Sequence, residues 1–387
     1  MDSSSLLARI VARPHPNGVL SVLERHHLGF TAYGSGKAAL RDGLESLRET
    51  DDDGNVLLPA YLPDGVVEPL FELGLEPRYY RVRQDLGPDL SDVNRRLDAE
   101  TVAGLSVNYF GFSQPRFDEF GSLLAEYGCY HVDDNAHAPL SVSEGTLLGT
   151  RGDLGITSLW KLLSIPDGAV LYRNSDAARA AFEPSSIAGI RGRIDGSDCR
   201  FVVKAVATDV LESNAWLRRS TDNLLASRND TSPVASPSDR YEAGKRPMSR
   251  LSARVLERVD ARAIRTARRE NYRAWHRLLA DRDGLDVVRS VLPEGICPQA
   301  MPVRTSEPDR LLAALEAAGV SDAHTWPRLA DSVRTDPTYA TATRLAAEIV
   351  AIPIRDRPDR DAFDAALAQS ARVGDSPAVE RSPSSSP

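Results

Sequence analysis

From about residue 30 to 175 the chain alternates between helical and extended spacing of its apolar positions. After Gly36-Lys37-Ala38-Ala39, leucines recur at 40, 44 and 47, which is helical spacing. Asn55–Ala60 reads as a strand, and Asp64 as the cap of a helix over DGVVEPLFELG. The alternation continues through a strand at Arg78–Val82, a helix at Leu90–Leu97, a strand at Val102–Tyr109, a helix at Phe117–Tyr127 and a strand at Tyr130–Asp133. Ile165-Pro166-Asp167-Gly168 then supplies turn chemistry before a short apolar strand, Ala169–Tyr172. Strands separated by helices of this length imply a doubly wound, mostly parallel α/β sheet.

The pattern changes further on. Ser227–Arg240 is rich in Ser, Pro and Asp and reads as a linker or mobile loop. Met248–Asp283 contains neither Gly nor Pro, and Leu251, Val255, Val259, Ile264, Tyr272 and Leu278 fit one long amphipathic helix. The expected organisation is an N-terminal arm (1–29), a large domain (30–240), this joining helix with a smaller C-terminal α/β domain (241–370), and a disordered tail (371–387). No internal repeat is seen.

Composition narrows the function classes. At 387 residues and 42% hydrophobic, the chain can bury a sizeable core. No apolar run approaches the roughly 18 residues of a membrane helix, and Arg9 and Arg13 interrupt the N-terminal run, so neither a span nor a signal peptide is expected. Cys129, Cys199 and Cys297 are too few and too scattered for a disulfide framework or a paired-cysteine metal site, which suggests a cytoplasmic setting. A net charge of -8 argues against a nucleic-acid partner. Of 47 basic residues, four are lysine (Lys37, Lys161, Lys204 and Lys245) and 43 arginine. Arginine serves as a surface cation but cannot act as an amine nucleophile, so each remaining lysine is worth examining.

Three segments carry candidate chemistry. Gly34-Ser35-Gly36-Lys37-Ala38-Ala39 is a glycine turn feeding a helix start, which can present backbone N–H groups to an anion. His131-Val132-Asp133-Asp134-Asn135-Ala136-His137 packs two acids and two imidazoles at the C-terminal end of a parallel strand, where open α/β sheets bind ligands. Taken alone, it fits a solvated acid pair, a metal site or an organic cofactor. The third, Gly152–Lys161, places a lysine after a strand, beside Trp160 and three residues beyond Ser158. An apolar setting lowers a lysine's pKa towards the range useful for Schiff-base chemistry. An anion cup, an acid 98 residues after Gly36 and a lysine 27 residues after Asp134 are the parts that pyridoxal 5'-phosphate (PLP) requires.

These residues, with VLLPAY, VNYFGF, VDDNAHAPLS, GDLGITSLWKLLSIPDGAVL, the run from Met248 to Leu279 and LAAEIVAIPI, resemble the successive landmarks of the DegT/DnrJ/StrS family of sugar aminotransferases over residues 30 to 368. The resemblance implies a fold-type-I PLP-dependent transferase, with a doubly wound large domain and a smaller C-terminal α/β domain. It matches Lys161 to the lysine that forms the Schiff base and moves the proton, and Asp134 to the acid that pairs with the pyridinium nitrogen. His137 matches a residue near the cofactor ring; Ser158 and the Gly36-Lys37-Ala38 backbone match the phosphate site. Tyr61 is a candidate for an aromatic beside the ring. The family commonly reads Asn-Tyr-Arg where this chain has Lys245-Arg246-Pro247, and that Asn reaches a phosphate across a dimer interface; Lys245 is a candidate replacement. His324 and Trp326 fall where the small domain approaches substrate.

The implied reaction moves an amino group from a donor, glutamate, to the keto group of a nucleotide-linked sugar, in a homodimer. The alternatives are a PLP enzyme acting on a non-sugar substrate and a non-catalytic regulatory or scaffolding relative. A dehydratase branch, in which histidine replaces the lysine, is disfavoured by Lys161. A metal hydrolase would leave the anion cup and Lys161 unexplained.

Overall fold

The computed structural model describes residues 6–27, 29–48, 54–213 and 236–374. The large sheet uses β1 (Thr31–Tyr33), β2 (Asn55–Pro59), β3 (Glu76–Tyr80), β4 (Thr101–Val107) and β5 (Tyr130–Asp134). A small hairpin of β6 (Val142–Ser143) and β7 (Thr146–Leu147) precedes the last two sheet strands, β8 (Leu154–Ser158) and β9 (Ala169–Arg173). The order is β1-β9-β8-β5-β4-β2-β3. Pairings from β3 through β8 are parallel, while β9 is antiparallel to both β8 and β1. Helices cover the sheet, so β2 and β8 are buried at every position, which explains their near-continuous apolar runs. This is the α/β architecture of the fold-type-I class.

The smaller C-terminal sheet is antiparallel, with order β10-β11-β13-β12 from β10 (Asp286–Val287), β11 (Ala300–Arg304), β12 (His324–Thr325) and β13 (Ile349–Pro353).

Three local expectations change. The joining run is two helices, Arg250–Leu256 and Ala261–Leu279, because Asp260 is extended and caps the second by accepting from Arg262 N at 2.9 Å. Ala261 N–H bonds Asn17 O at 2.9 Å, which ties the break to the N-terminal segment. Of the expected linker, 227–235 lie outside the described residues, whereas Ser236 starts a helix, Pro237–Gly244, through a reciprocal capping box with Asp239. Asp64 makes no cap; it opens a 3-10 turn, Asp64–Val67, before a short helix, Glu68–Glu72, and its carboxylate pairs with Arg328 at 2.8 Å. The expected tail lies outside the described residues beyond Gly374, where the last helix (Arg360–Gly374) ends.

Candidate active site

Successive side chains of a strand face opposite sides of a sheet, so the neighbouring acids at the end of β5 have different surroundings. Asp133 is fully buried and accepts hydrogen bonds from Asn108 Nδ2 at 2.7 Å and Gly149 N at 2.9 Å, with Arg151 Nε at 3.6 Å. It anchors the loop ahead of β8. Asp134 is also buried, but its carboxylate makes a single hydrogen bond among the described residues, from Ala136 N at 2.8 Å. Burial raises its pKa to about 6, Asp133 adds to the rise, and Lys161 opposes it.

A raised acid pKa means that the folded chain holds a proton which the unfolded chain has released. In the cofactor-free protein this group should therefore lower stability as pH rises from about 4 through 6, by on the order of 2–3 kcal/mol, and add no slope above that. Asp134→Asn should flatten that part of a melting-temperature profile; an unchanged slope would contradict the assignment.

The two histidines also separate. His131 meets Ser106 Oγ at 2.7 Å and packs between Phe117 and Phe120, with ring centroids 4.5 and 5.2 Å away. Burial, then Arg151, lowers its pKa to about 3, so it is a neutral core residue. His137 accepts a hydrogen bond at Nδ1 from Phe110 N at 3.3 Å, which leaves the proton on Nε2. Burial first, then Lys161 and His324, holds it well below the ordinary imidazole value.

Lys161 ends a 3-10 turn, Leu159–Lys161, that follows β8 directly, and β8 is the parallel neighbour of β5 with Ile156 opposite Asp134. Asn135 N–H to Ile156 O at 2.8 Å and Thr157 Oγ1 to Asn135 O at 2.9 Å extend the pairing past the strand ends. The lysine and acid are thereby brought to one edge. Trp160 is 49% exposed, whereas the Lys161 amine is desolvated although the residue as a whole is only partly buried. Burial lowers its pKa, Lys37 adds to this, and Asp134 opposes it.

The anion cup lies at the same edge because the register places Tyr33 opposite Ala169 and Ala169 opposite Ser158. Gly168 N–H bonds Gly34 O at 2.9 Å, Ser35 caps the helix Gly36–Leu47 by accepting from Ala38 N, and a Cβ on Gly36 would stand 2.6 Å from Ser158 Oγ. A side chain there would displace the Ser158 hydroxyl from the cup. Gly36→Ala should weaken capture of a phosphate-bearing cofactor roughly tenfold or more, read as a dissociation constant by absorbance titration.

The other expected residues occupy different places. Lys37 lies in the first helical turn, where the macrodipole disfavours a cation. Its half-buried Nζ reaches Pro237 O at 3.5 Å; burial lowers its pKa, Arg240 adds, and Glu68 and Asp64 oppose. Lys245 Nζ is paired with Glu72 at 2.9 Å and Glu242 at 2.8 Å, and it is Arg246 whose carbonyl bonds the cup, from Gly34 N at 2.7 Å. Tyr61 is a wall of an aromatic cluster: its ring is edge-on to Tyr109 and Trp326 at 5.4 and 5.3 Å, and its hydroxyl donates to Trp326 O. Trp326 also meets His137 at 5.0 Å and Phe110 at 5.4 Å. Sequence reasoning missed Tyr109 and Phe110, whose only signal was the uninterrupted YFGF after β4. Phe110 adopts φ 57°, uncommon for a non-glycine residue, which turns its N–H towards His137. Among the described residues no group of three or more His, Cys, Asp or Glu is arranged to hold a metal, and no helix is long and apolar enough to cross a membrane.

Residues 25–197 match the model of the DegT/DnrJ/EryC1/StrS aminotransferase family, which bears out the resemblance over that segment. GDP-perosamine synthase of Vibrio cholerae is 26% identical over 149 residues, or 38% of this chain and 40% of that protein. The dTDP-4-dehydro-2,3,6-trideoxy-D-glucose 4-aminotransferase of Saccharopolyspora spinosa is 31% identical over 155 residues, again 38% of this chain and 40% of the relative. The matched segment thus spans about two fifths of these curated relatives. The fold is similar along nearly the whole chain to the aminotransferase TlmJ from Streptoalloteichus hindustanus, with a TM-score of 0.64 at 20% identity, covering 96% of each chain.

Proposed function

With the DegT/DnrJ/EryC1/StrS family matched across residues 25–197, we propose that this chain is a PLP-dependent aminotransferase that moves an amino group from glutamate to the keto group of a nucleotide-linked sugar. The observation that carries the reading is the meeting of the Lys161 amine, the Asp134 carboxylate and the Gly36 cup at one edge of the sheet. The acceptor class is supported by the printed names of the two curated relatives, which concern a GDP-sugar and a dTDP-sugar. A cytoplasmic homodimer is the assembly the family resemblance implies.

The donor set fits the cofactor. Gly36 and Lys37 N–H groups with Ser158 Oγ would hold the phosphate, and a Cβ at Gly36 would fill that cradle. The under-bonded carboxylate of Asp134 would face the ring nitrogen, and Nε2–H of His137, which has no hydrogen-bond partner among the described residues, could donate to a ring oxygen. When bound, PLP supplies an electron sink for the charge that develops on the substrate carbon.

The protein's own contribution follows from its pKa values. Lys161, whose pKa burial lowers, can form a covalent bond to a carbonyl and afterwards accept and return a proton at Nζ. Asp134 carries a negative charge when a cation stands beside it, because an adjacent positive group reverses the shift that burial causes. His137 remains neutral and donates from Nε2 without competing for the lysine's proton. Tyr61, Tyr109, Phe110 and Trp326 line the site with apolar surface that keeps water away and strengthens these charge interactions.

The test is to mix the full chain with PLP, reduce with borohydride and map the peptides. The expected result is added cofactor mass on Lys161; mass elsewhere or nowhere overturns the reading. Glutamate with a panel of nucleotide-linked keto-sugars then tests the acceptor.

A further inference from the structure

Arg268, in the middle of the helix Ala261–Leu279, is 4% exposed and forms no ion pair among the described residues. Burying a guanidinium is costly unless its donors find acceptors. Here three backbone carbonyls accept: Leu162 O from Nη2 at 3.1 Å, and Pro298 O and Gln299 O from Nη1 at 3.3 and 3.1 Å. Leu162 follows Lys161 directly, and Pro298-Gln299 leads into β11 of the small sheet.

The link continues to the opposite wall of the site. Gln299 N–H bonds Phe110 O at 2.8 Å, and Phe110 N–H bonds His137 Nδ1 at 3.3 Å. The Lys161 turn is closed by Leu162 N to Leu159 O at 3.1 Å and Leu163 N to Leu159 O at 3.2 Å, and Leu159 N bonds Gly168 O at 2.9 Å, which ties the start of the turn to the approach to β9. Leu159, Leu162 and Leu163 pack in the core, and the bond from Arg268 to Leu162 O joins the end of the turn to Pro298-Gln299. An apolar side chain of similar volume would fill the space without the desolvation cost, but it could not join the two segments.

We propose that Arg268 is a positioning residue: by clamping Leu162 O to Pro298-Gln299 it holds the Lys161 amine in its desolvated place opposite His137 and Asp134. The inference rests on the reading of Lys161 as the reactive lysine. Lysine at 268 keeps the charge but cannot span three carbonyls, and methionine removes both charge and donors.

The measurement is the pH dependence of Lys161 acetylation by acetic anhydride in the full chain without added cofactor, read by peptide mass. The charged and titratable groups acting on this amine are Asp134 from the end of β5, Lys37 from the helix Gly36–Leu47 and His137. In Arg268→Lys and Arg268→Met alike, the titration of Lys161 should move upward by about one unit, a tenfold change in its protonation equilibrium, as the amine returns towards solvent. A titration unchanged in Arg268→Lys, even with a lower melting temperature, overturns the proposal, as does an upward move confined to Arg268→Met, which would mark a charge effect. Should Arg268→Met not fold, Arg268→Lys decides alone. If wild-type protein captures no PLP at Lys161, the functional reading fails, while the acetylation profile still decides the role of Arg268.

Discussion

Replacing Lys161 with arginine should leave the fold intact, with a lower melting temperature because a guanidinium at that desolvated place must stay charged, while reducing amine transfer by roughly 10⁴-fold or more. The substitution keeps a cation at the edge beside Asp134, so a role in charge balance alone would survive it. What it removes is the titratable amine: a guanidinium stays protonated and cannot form the covalent bond or take up the proton. Borohydride reduction should then leave the peptide around position 161 without added mass, although a phosphate-bearing cofactor still binds the Gly36 cup. Retained activity, or cofactor mass on Lys37 or Lys245, would contradict the assignment. Lys245 is the less able substitute, because Glu72 and Glu242 raise its pKa and hold its amine.

Asp134→Asn should lower the rate by about 10²–10³-fold with little loss of structure, as expected when a single preorganised charge is removed from a buried site. Asparagine is close in shape and can still accept from Ala136 N, so the change isolates the charge. The effect should fall mainly on kcat, since the carboxylate acts on the ring nitrogen and not on the donor or acceptor. Asp133→Asn provides the contrast. Its carboxylate is committed to Asn108, Gly149 and Arg151, so its loss should appear as a lower melting temperature, with cofactor capture at Lys161 retained. Equal effects at both positions on rate and melting would show that the two acids are not divided as the structure divides them.

How much of this was legible in the sequence differs by residue. The parallel core was readable because β2, β3, β4 and β5 are short extended segments that alternate with helices, and their observed bounds lie within two residues of those expected. β1 was missed because three residues give too little periodicity. The break at 257–260 was missed because no Gly or Pro marks it; the cap of Asp260 is local, but the contact of Ala261 with Asn17 joins segments far apart in sequence.

By itself the sequence determined the chemistry available to the chain: one lysine and one acid pair in the right order on an alternating β/α scaffold, and a glycine turn ahead of a helix. The residue pattern did not say which of two adjacent acids was free, and only the family resemblance pointed to Asp134, since the difference depends on which face of β5 meets Arg151 and which meets the open edge. Nor could it say that Lys245 is held by Glu72, 173 residues away, or that Arg268 joins the Lys161 turn to the small sheet. Local pattern follows from the periodicity of neighbouring residues, whereas ionisation and placement follow from burial and from partners that only the folded chain brings together.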